Sequence, residues 1–131
     1  MANHKLLRLS ATLLFIGLVV FGVTIPLHPP GANDHQAAFT AYANSSSWAA
    51  IHLGQFVGTA VIIAGLLVLF FALNVSEGTP RWLAFFAAMA AGVALALAGV
   101  LYAVDGVALK QAARFASAQA IRWLEWGTNS Y

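Results

Sequence analysis

The chain has 131 residues, of which 61% are hydrophobic and only 8% are charged, and its mean hydropathy is +0.82. A soluble domain contains about 45–50% apolar and about 25% charged residues. The composition therefore excludes a soluble globular enzyme, a disordered tail and a coiled coil, and it indicates an integral membrane protein in contact with the lipid bilayer. The net charge of +2 comes without the basic runs that nucleic-acid binding needs. The lack of cysteine excludes disulfides and thiolate chemistry.

Three long apolar segments predict membrane-spanning helices at about 7–27, 48–74 and 80–105, within a single membrane domain that covers residues 1–131. A helix needs about 20 apolar residues to cross about 30 Å of hydrocarbon. In hydrocarbon the backbone must satisfy its own hydrogen bonds, so the expected fold class is all-α. Because no small-x-small cleavage site follows the first segment, we interpret it as an uncleaved anchor rather than a signal peptide.

The polar connections between these spans carry helix boundaries. Prolines between 26 and 30 end the first span, and Asn33 or Asp34 can cap a short interfacial helix that extends to about Ala43. The turn at 76–80 places a Thr cap before a Pro, which is typical of a helix start. The second and third spans are therefore expected to form a tight antiparallel hairpin.

The C-terminal segment at about 107–126 is predicted to be a basic amphipathic helix that lies at the membrane interface. An alternative is that it continues directly from the third span, with Gly106 as a weak point. Tryptophans lie near the predicted span ends, where they are expected to act as interfacial anchors. These tryptophans are Trp48, Trp82, Trp123 and Trp126.

The number of basic residues leaves the orientation open, because Lys5, Arg8 and Arg81 would lie on one side and Lys110, Arg114 and Arg122 on the other. The first span usually dominates the choice of orientation. Lys5 and Arg8 precede this span, and the segment 28–47 contains no Lys or Arg. We therefore expect a cytoplasmic N-terminus, in a bacterial inner membrane.

Two rows of small residues predict close helix packing, because small side chains let helix backbones approach one another in lipid. One interpretation is that the rows pack against each other, and the other is that one row faces a partner protein. The rows are Gly54, Gly58 and Gly65 on the second span, and Ala88, Gly92 and Ala96 on the third.

Polar groups inside a membrane are costly and indicate a structural or functional role. His52 lies one turn inside the second span, and Asp105 ends the third. In an antiparallel hairpin both lie at the same depth, near the face where His28 and His35 emerge. Four interpretations remain open: a His–Asp hydrogen bond between helices, a zinc or copper site, ligation of a haem or chlorophyll-type tetrapyrrole by His52 with room left by Gly54 and Gly58, and a proton or substrate path. The sequence requires no cofactor.

No GxSxG, P-loop, GxGxxG or HExxH motif occurs, so we expect no enzymatic activity. The segments 52–56, 102–110, 122–127 and 129–131 resemble those of uncharacterised bacterial multi-pass membrane proteins, a group without assigned chemistry. In such proteins further spans follow the last segment, whereas this sequence ends there, as either a naturally shortened form or an incomplete sequence. The difference favours a small subunit over a complete transport pathway.

The expected function is therefore that of a non-enzymatic accessory or structural subunit of a larger membrane complex, of the energy-transducing kind found in respiratory or photosynthetic membranes. Other membrane-protein subunits are the expected partners. The first alternative is a metal- or tetrapyrrole-binding protein that uses His52 with the loop histidines or Asp105. The second is a small transporter that works as an oligomer.

Overall fold

The structure, a computed structural model, describes residues 3–29, 34–74 and 81–128, and this part of the chain is helical apart from short connections. A 3₁₀ turn, Ile25–Leu27, follows the first helix, and a π-helical segment, Val104–Ala108, joins the last two. The all-α fold class is confirmed. The five α-helices are α1 (His4–Thr24), α2 (His35–Asn44), α3 (Trp48–Asn74), α4 (Arg81–Ala103) and α5 (Leu109–Thr128).

Three stretches are long and apolar enough to cross a membrane, namely His4–Leu27, Trp48–Leu73 and Trp82–Gln119. The first two agree with the predicted spans to within a few residues, and the protein is an all-α membrane protein. The predicted turn at 76–80 lies outside the described residues. The third stretch extends well beyond its predicted end, because α4 and α5 are continuous.

The predicted interfacial helix is present as α2, and its N-cap is Asp34. The side chain of Asp34 accepts a hydrogen bond of 2.7 Å from the backbone nitrogen of Ala37, which satisfies one of the unpaired amides of the first turn. The alternative cap, Asn33, lies outside the described residues.

The tightest packing joins α1 and α3, which run antiparallel along a line of small residues. The Cβ of an alanine at Gly58 would lie 2.8 Å from the backbone nitrogen of Phe21, so the two backbones are in direct contact. The buried Ser10 hydroxyl donates a hydrogen bond of 2.8 Å to the carbonyl of Gly65 across the same interface. Buried residues recur every seven positions on both helices, at Ser10, Gly17 and Thr24 on α1, and at Ile51, Gly58, Gly65 and Ala72 on α3.

The contact between α1 and α3 shows that the predicted pairing of the two small-residue rows is wrong. A Cβ at Gly54 would meet Thr24, and one at Gly65 would meet Leu14, so the glycine row of α3 faces α1 and not α4. A seven-residue repeat keeps small residues on the shared side of two slightly inclined helices over many turns.

On its other side, α3 contacts α4 through a different stripe. The Cβ of an alanine at Gly99 would lie 3.3 Å from the ring of Phe56, and the hydroxyls of Thr59 and Tyr102 are 3.4 Å apart. The half-buried residues of α4 include Ala84, Ala91 and Ala98. The predicted row of Ala88, Gly92 and Ala96 is instead exposed.

The C-terminal helix differs from the primary prediction of a separate interfacial helix. α4 continues through Val104–Ala108 into α5, as in the alternative with Gly106 at the junction. α5 packs on α2. In this contact Lys110 donates a hydrogen bond to the carbonyl of Ser45, and Nε of Arg114 donates one of 3.2 Å to the carbonyl of Ala43. These two cations, one turn apart, satisfy carbonyls that the end of α2 leaves unpaired.

We expect Gly58→Ala to destabilise the protein by about 1–3 kcal/mol, because its new methyl group would overlap backbone atoms that cannot rotate away. Gly92→Ala is the matched control, since a Cβ there meets nothing within 4 Å. The measurement is the free energy of unfolding by SDS in mixed micelles. Equal stability of the two variants would contradict the described α1–α3 contact.

Candidate functional site

The polar interior residues gather at the end of the bundle where α1 ends and α3 begins. We define the histidine–tryptophan cluster as His28, Trp48, His52, Gln55 and the backbone of Asp105. Proline in the 3₁₀ turn ends α1, so the chain turns there and His28 lies over the first two turns of α3. On α3, Trp48, His52 and Gln55 share one face because they are spaced by four and three residues.

The His52 ring has one nitrogen paired within its own helix. Its Nδ1 lies 2.8 Å from the carbonyl oxygen of Trp48, and a carbonyl oxygen only accepts hydrogen bonds. Nδ1 therefore carries the proton, and in the neutral ring Nε2 holds a free lone pair. The side chain is 5% exposed, so its orientation is set by packing.

His28 is held against α3 by Gln55. Its Nε2 lies 3.0 Å from the amide nitrogen of Gln55, so the amide donates and the imidazole accepts. The ring is edge-on to two neighbours, with centroid distances of 5.4 Å to Trp48 and 5.1 Å to His52. His28 thus forms the outer wall of the cluster and is itself half-buried.

The indole of Trp48 connects α3 to the π-helical segment. Its Nε1 donates a hydrogen bond of 2.6 Å to the carbonyl of Asp105. In a π turn the hydrogen bonds run from residue i to i+5, and such turns are frequent at functional sites. The absence of a side chain at Gly106 allows this approach, since a Cβ there would lie 2.7 Å from the Cβ of His52.

Aromatic rings extend the cluster towards α2. The ring of Tyr42 contacts that of Trp48 in a tilted arrangement, with a centroid distance of 4.3 Å and an interplanar angle of 31°, and Phe39 contacts Tyr42 edge-on at 6.4 Å. Phe39 and Tyr42 therefore share one face of α2, and Tyr42 connects this face to α3.

The predicted equal depth of His52 and Asp105 is confirmed, but the predicted hydrogen bond between their side chains is not formed. His52 donates to its own helix, and Asp105 contributes its backbone carbonyl to Trp48. His35 is exposed at the start of α2 and has no hydrogen bond or ring contact with the cluster. Within residues 3–29, 34–74 and 81–128, no three His, Cys, Asp or Glu side chains converge on a common metal position.

The structure also corrects the role of Trp48. This side chain is 4% exposed and is a hydrogen-bond donor inside the bundle, whereas Trp82 is 60% exposed. The side chains of Trp123 and Trp126 lie outside the described residues. Sequence reasoning missed Trp48 and the partner of Gln55, although the 48, 52, 55 spacing on one helical face was a signal for them.

One argument for a tetrapyrrole at His52 loses its basis. Gly54 and Gly58 were expected to leave room for a macrocycle, but a Cβ at either position would lie 2.8 Å from an atom of α1. The space beside these glycines is filled by the neighbouring helix.

Compared with known proteins, the chain matches no protein-family model, no curated protein and no solved structure.

We expect Trp48→Phe to lower stability by about 1–2 kcal/mol, because the ring contacts are kept while the carbonyl of Asp105 loses its donor. Backbone amides near 104–110 are expected to exchange hydrogen faster. Trp82→Phe is the control and should change stability by less than about 0.5 kcal/mol, since its ring is exposed. Unfolding in mixed micelles and hydrogen–deuterium exchange measure both effects, and unchanged exchange in Trp48→Phe would show that the indole does not hold the π turn.

Proposed function

We propose that this protein is a non-enzymatic accessory subunit that binds a larger membrane protein through one flank of α4. The observation that carries the proposal is the uneven packing of the spanning helices. No described side chain of α4 is buried, whereas α1 and α3 share a line of buried contacts.

The exposed surface of α4 has two flanks of different character. On one side of the α3-facing stripe lie Ala88, Gly92 and Ala96, and no atom lies within 4 Å of a Cβ added at Gly92. The other side carries larger side chains, including Leu97 and Leu101, which are 66% and 55% exposed. Small residues are enriched where membrane helices meet, because they permit close backbone approach.

The arrangement of the helices favours a subunit over a transporter that works by itself. α3 lies between α1 and α4 and packs on both. The polar side chains of α3 face its neighbours: Gln55 contacts His28, and Thr59 lies near Tyr102. Transporters place substrate sites at the interface of two repeats near the midplane, whereas the histidine–tryptophan cluster lies at one end of these helices.

We also propose that the protein lies in a bacterial inner membrane and that its N-terminus is cytoplasmic. Lys5 and Arg8 are exposed at the start of α1. At the opposite end of the bundle, Lys110 and Arg114 are bound to carbonyls of α2, and Lys110 is 8% exposed. Arg122, also beyond α4, is exposed, so the support for this orientation comes from the first span, which usually dominates the choice.

The partner flank is tested by extraction from the native membrane in mild detergent, separation by native size, and mass spectrometry. We expect the wild-type chain to migrate with a larger assembly, whose composition also tests whether the partner is an energy-transducing complex. Gly92→Leu combined with Ala96→Leu should move most of the chain to a free fraction, because leucine holds the helices apart. The control is Ala90→Leu with Ala94→Leu, on the opposite flank about 200° around the helix.

Migration of the wild-type chain as a stable solitary monomer would refute the subunit proposal. Equal release by both pairs of leucines would refute the assignment of the flank. All four positions are exposed, so neither pair is expected to disturb the fold.

Orientation is tested by reporter fusions after Tyr131. Three spans and a cytoplasmic N-terminus place the C-terminus outside the cytoplasm. Alkaline phosphatase fused there should therefore be active, and green fluorescent protein exported there by the general secretory route should not fluoresce. The same reporters placed before Met1 serve as the reciprocal control. Fluorescence from the C-terminal fusion, with inactive phosphatase, would reverse the assignment.

A further inference from the structure

We propose that His28 and His52 bind a borderline divalent transition-metal ion such as Zn²⁺ or Cu²⁺, with the side-chain amide of Gln55 as a third donor. Imidazole nitrogens suit these ions, and an amide oxygen can complete the set. This site shares no residue with the flank of α4, because all three side chains belong to α3 and to the turn that follows α1.

The hydrogen bonding of His52 is that of a metal-ligating histidine. Such residues donate their second ring N–H to a carboxylate, a backbone carbonyl or water, which fixes the tautomer and raises the basicity of the ligating nitrogen. Here Nδ1 donates to the carbonyl of Trp48, and the ring contacts the indole of Trp48 at a centroid distance of 4.6 Å and an interplanar angle of 42°. Nε2 makes no hydrogen bond within the described part of the chain and is left as an oriented lone pair.

The distance between the two rings fits one metal ion bound by both. With Zn–N bonds of about 2.0 Å, and a ring nitrogen roughly 1.1 Å from its centroid, two imidazoles at a tetrahedral angle have centroids about 5 Å apart. The centroids of His28 and His52 are 5.1 Å apart. Two imidazoles on opposite faces of a haem iron would lie about 6 Å apart with the same bond lengths. The geometry therefore favours a mononuclear ion over a bis-histidine haem.

Gln55 is positioned to supply an oxygen. Its amide nitrogen is 3.0 Å from Nε2 of His28. A rotation of the amide group by half a turn about the last side-chain bond exchanges its nitrogen and oxygen, so the oxygen then lies near Nε2 of His28. Two donors in a tetrahedral shell with bonds of about 2.0 Å are separated by about 3.3 Å, so a small adjustment accommodates both. Gln55 is 9% exposed and is confined to this region.

A site with two imidazoles and one amide is open rather than closed. No third His, Cys, Asp or Glu joins the pair in the described ranges, so a fourth position is available to water, substrate or a group from a partner. His28 is half-buried and forms the outer wall, so one of the two imidazoles is accessible from outside the cluster.

The test uses the full chain, purified without a polyhistidine tag, treated with a chelator and returned to chelator-free detergent. Zn²⁺ and Cu²⁺ are titrated separately, with affinity measured by calorimetry and stoichiometry by elemental analysis. The Cu²⁺ form is examined by electron paramagnetic resonance, which reveals coupled ligand nitrogens. The variants are His28→Gln and His52→Gln, and the matched control is His35→Gln, an exposed histidine outside the cluster.

We expect one ion per chain, a loss of affinity of at least tenfold in His28→Gln and in His52→Gln, and no change in His35→Gln. The wild-type Cu²⁺ spectrum should show two coupled imidazoles, and that of His28→Gln one. Lack of saturable binding by the wild type, or unchanged affinity in His28→Gln or in a folded His52→Gln, would overturn the site. If His52→Gln does not fold, His28→Gln and the wild-type spectrum decide, and a spectrum without two imidazoles would also overturn it.

Discussion

The close approach of α1 and α3 is the constraint on which the rest of the structure depends. Hydrocarbon provides no hydrophobic drive for two apolar helices to associate, so their contact relies on dispersion between closely spaced backbones and on hydrogen bonds. The line of Gly17, Gly58 and Gly65 permits that spacing, and the hydroxyl of Ser10 adds a bond to the carbonyl of Gly65. A larger side chain on this line would separate the backbones and weaken both contributions.

The position of the histidine–tryptophan cluster follows from this contact. Because α1 is held along the length of α3, the turn that follows Pro26 emerges beside the first turns of α3, and His28 reaches Gln55 from there. The same turns of α3 carry Trp48, which reaches across to the carbonyl of Asp105. The cluster thus joins α1, α3 and the π-helical segment through one tryptophan and two histidines.

Much of the architecture was predictable because it depends on local sequence and on length. The spans, the cap of α2 at Asp34, and the common depth of His52 and Asp105 follow from apolar segment length, side-chain capping and antiparallel geometry. The partner of the glycine row was not predictable in this way. Glycines spaced by four are compatible with several neighbours, and only the seven-residue recurrence of Ser10, Gly17 and Thr24 on α1 indicates the actual one.

The π turn and the role of Trp48 were outside the reach of local patterns for a different reason. A π turn contains one residue more than an α turn, and no local sequence pattern marks where that residue is added. In this protein the segment is contacted from another helix, because the indole of Trp48 donates to the carbonyl of Asp105. Likewise, an aromatic residue near a span end is as compatible with the interface as with the interior. Trp48 is buried because Gly106 allows the π-helical segment to come close to His52.

The least packed helix therefore supports one wall of the candidate site. α4 has no buried side chain of its own in the described range, yet it leads directly into the segment that contains Asp105 and Gly106. The backbone of Gly106 packs directly against the Cβ of His52. The end of α4 therefore has little freedom to shift without moving the histidine. A protein that packs on the flank of Ala88, Gly92 and Ala96 would restrict α4, and through the π-helical segment it would also restrict the orientation of His52. The two proposals concern different surfaces, but the continuous helix from α4 to α5 makes them mechanically connected.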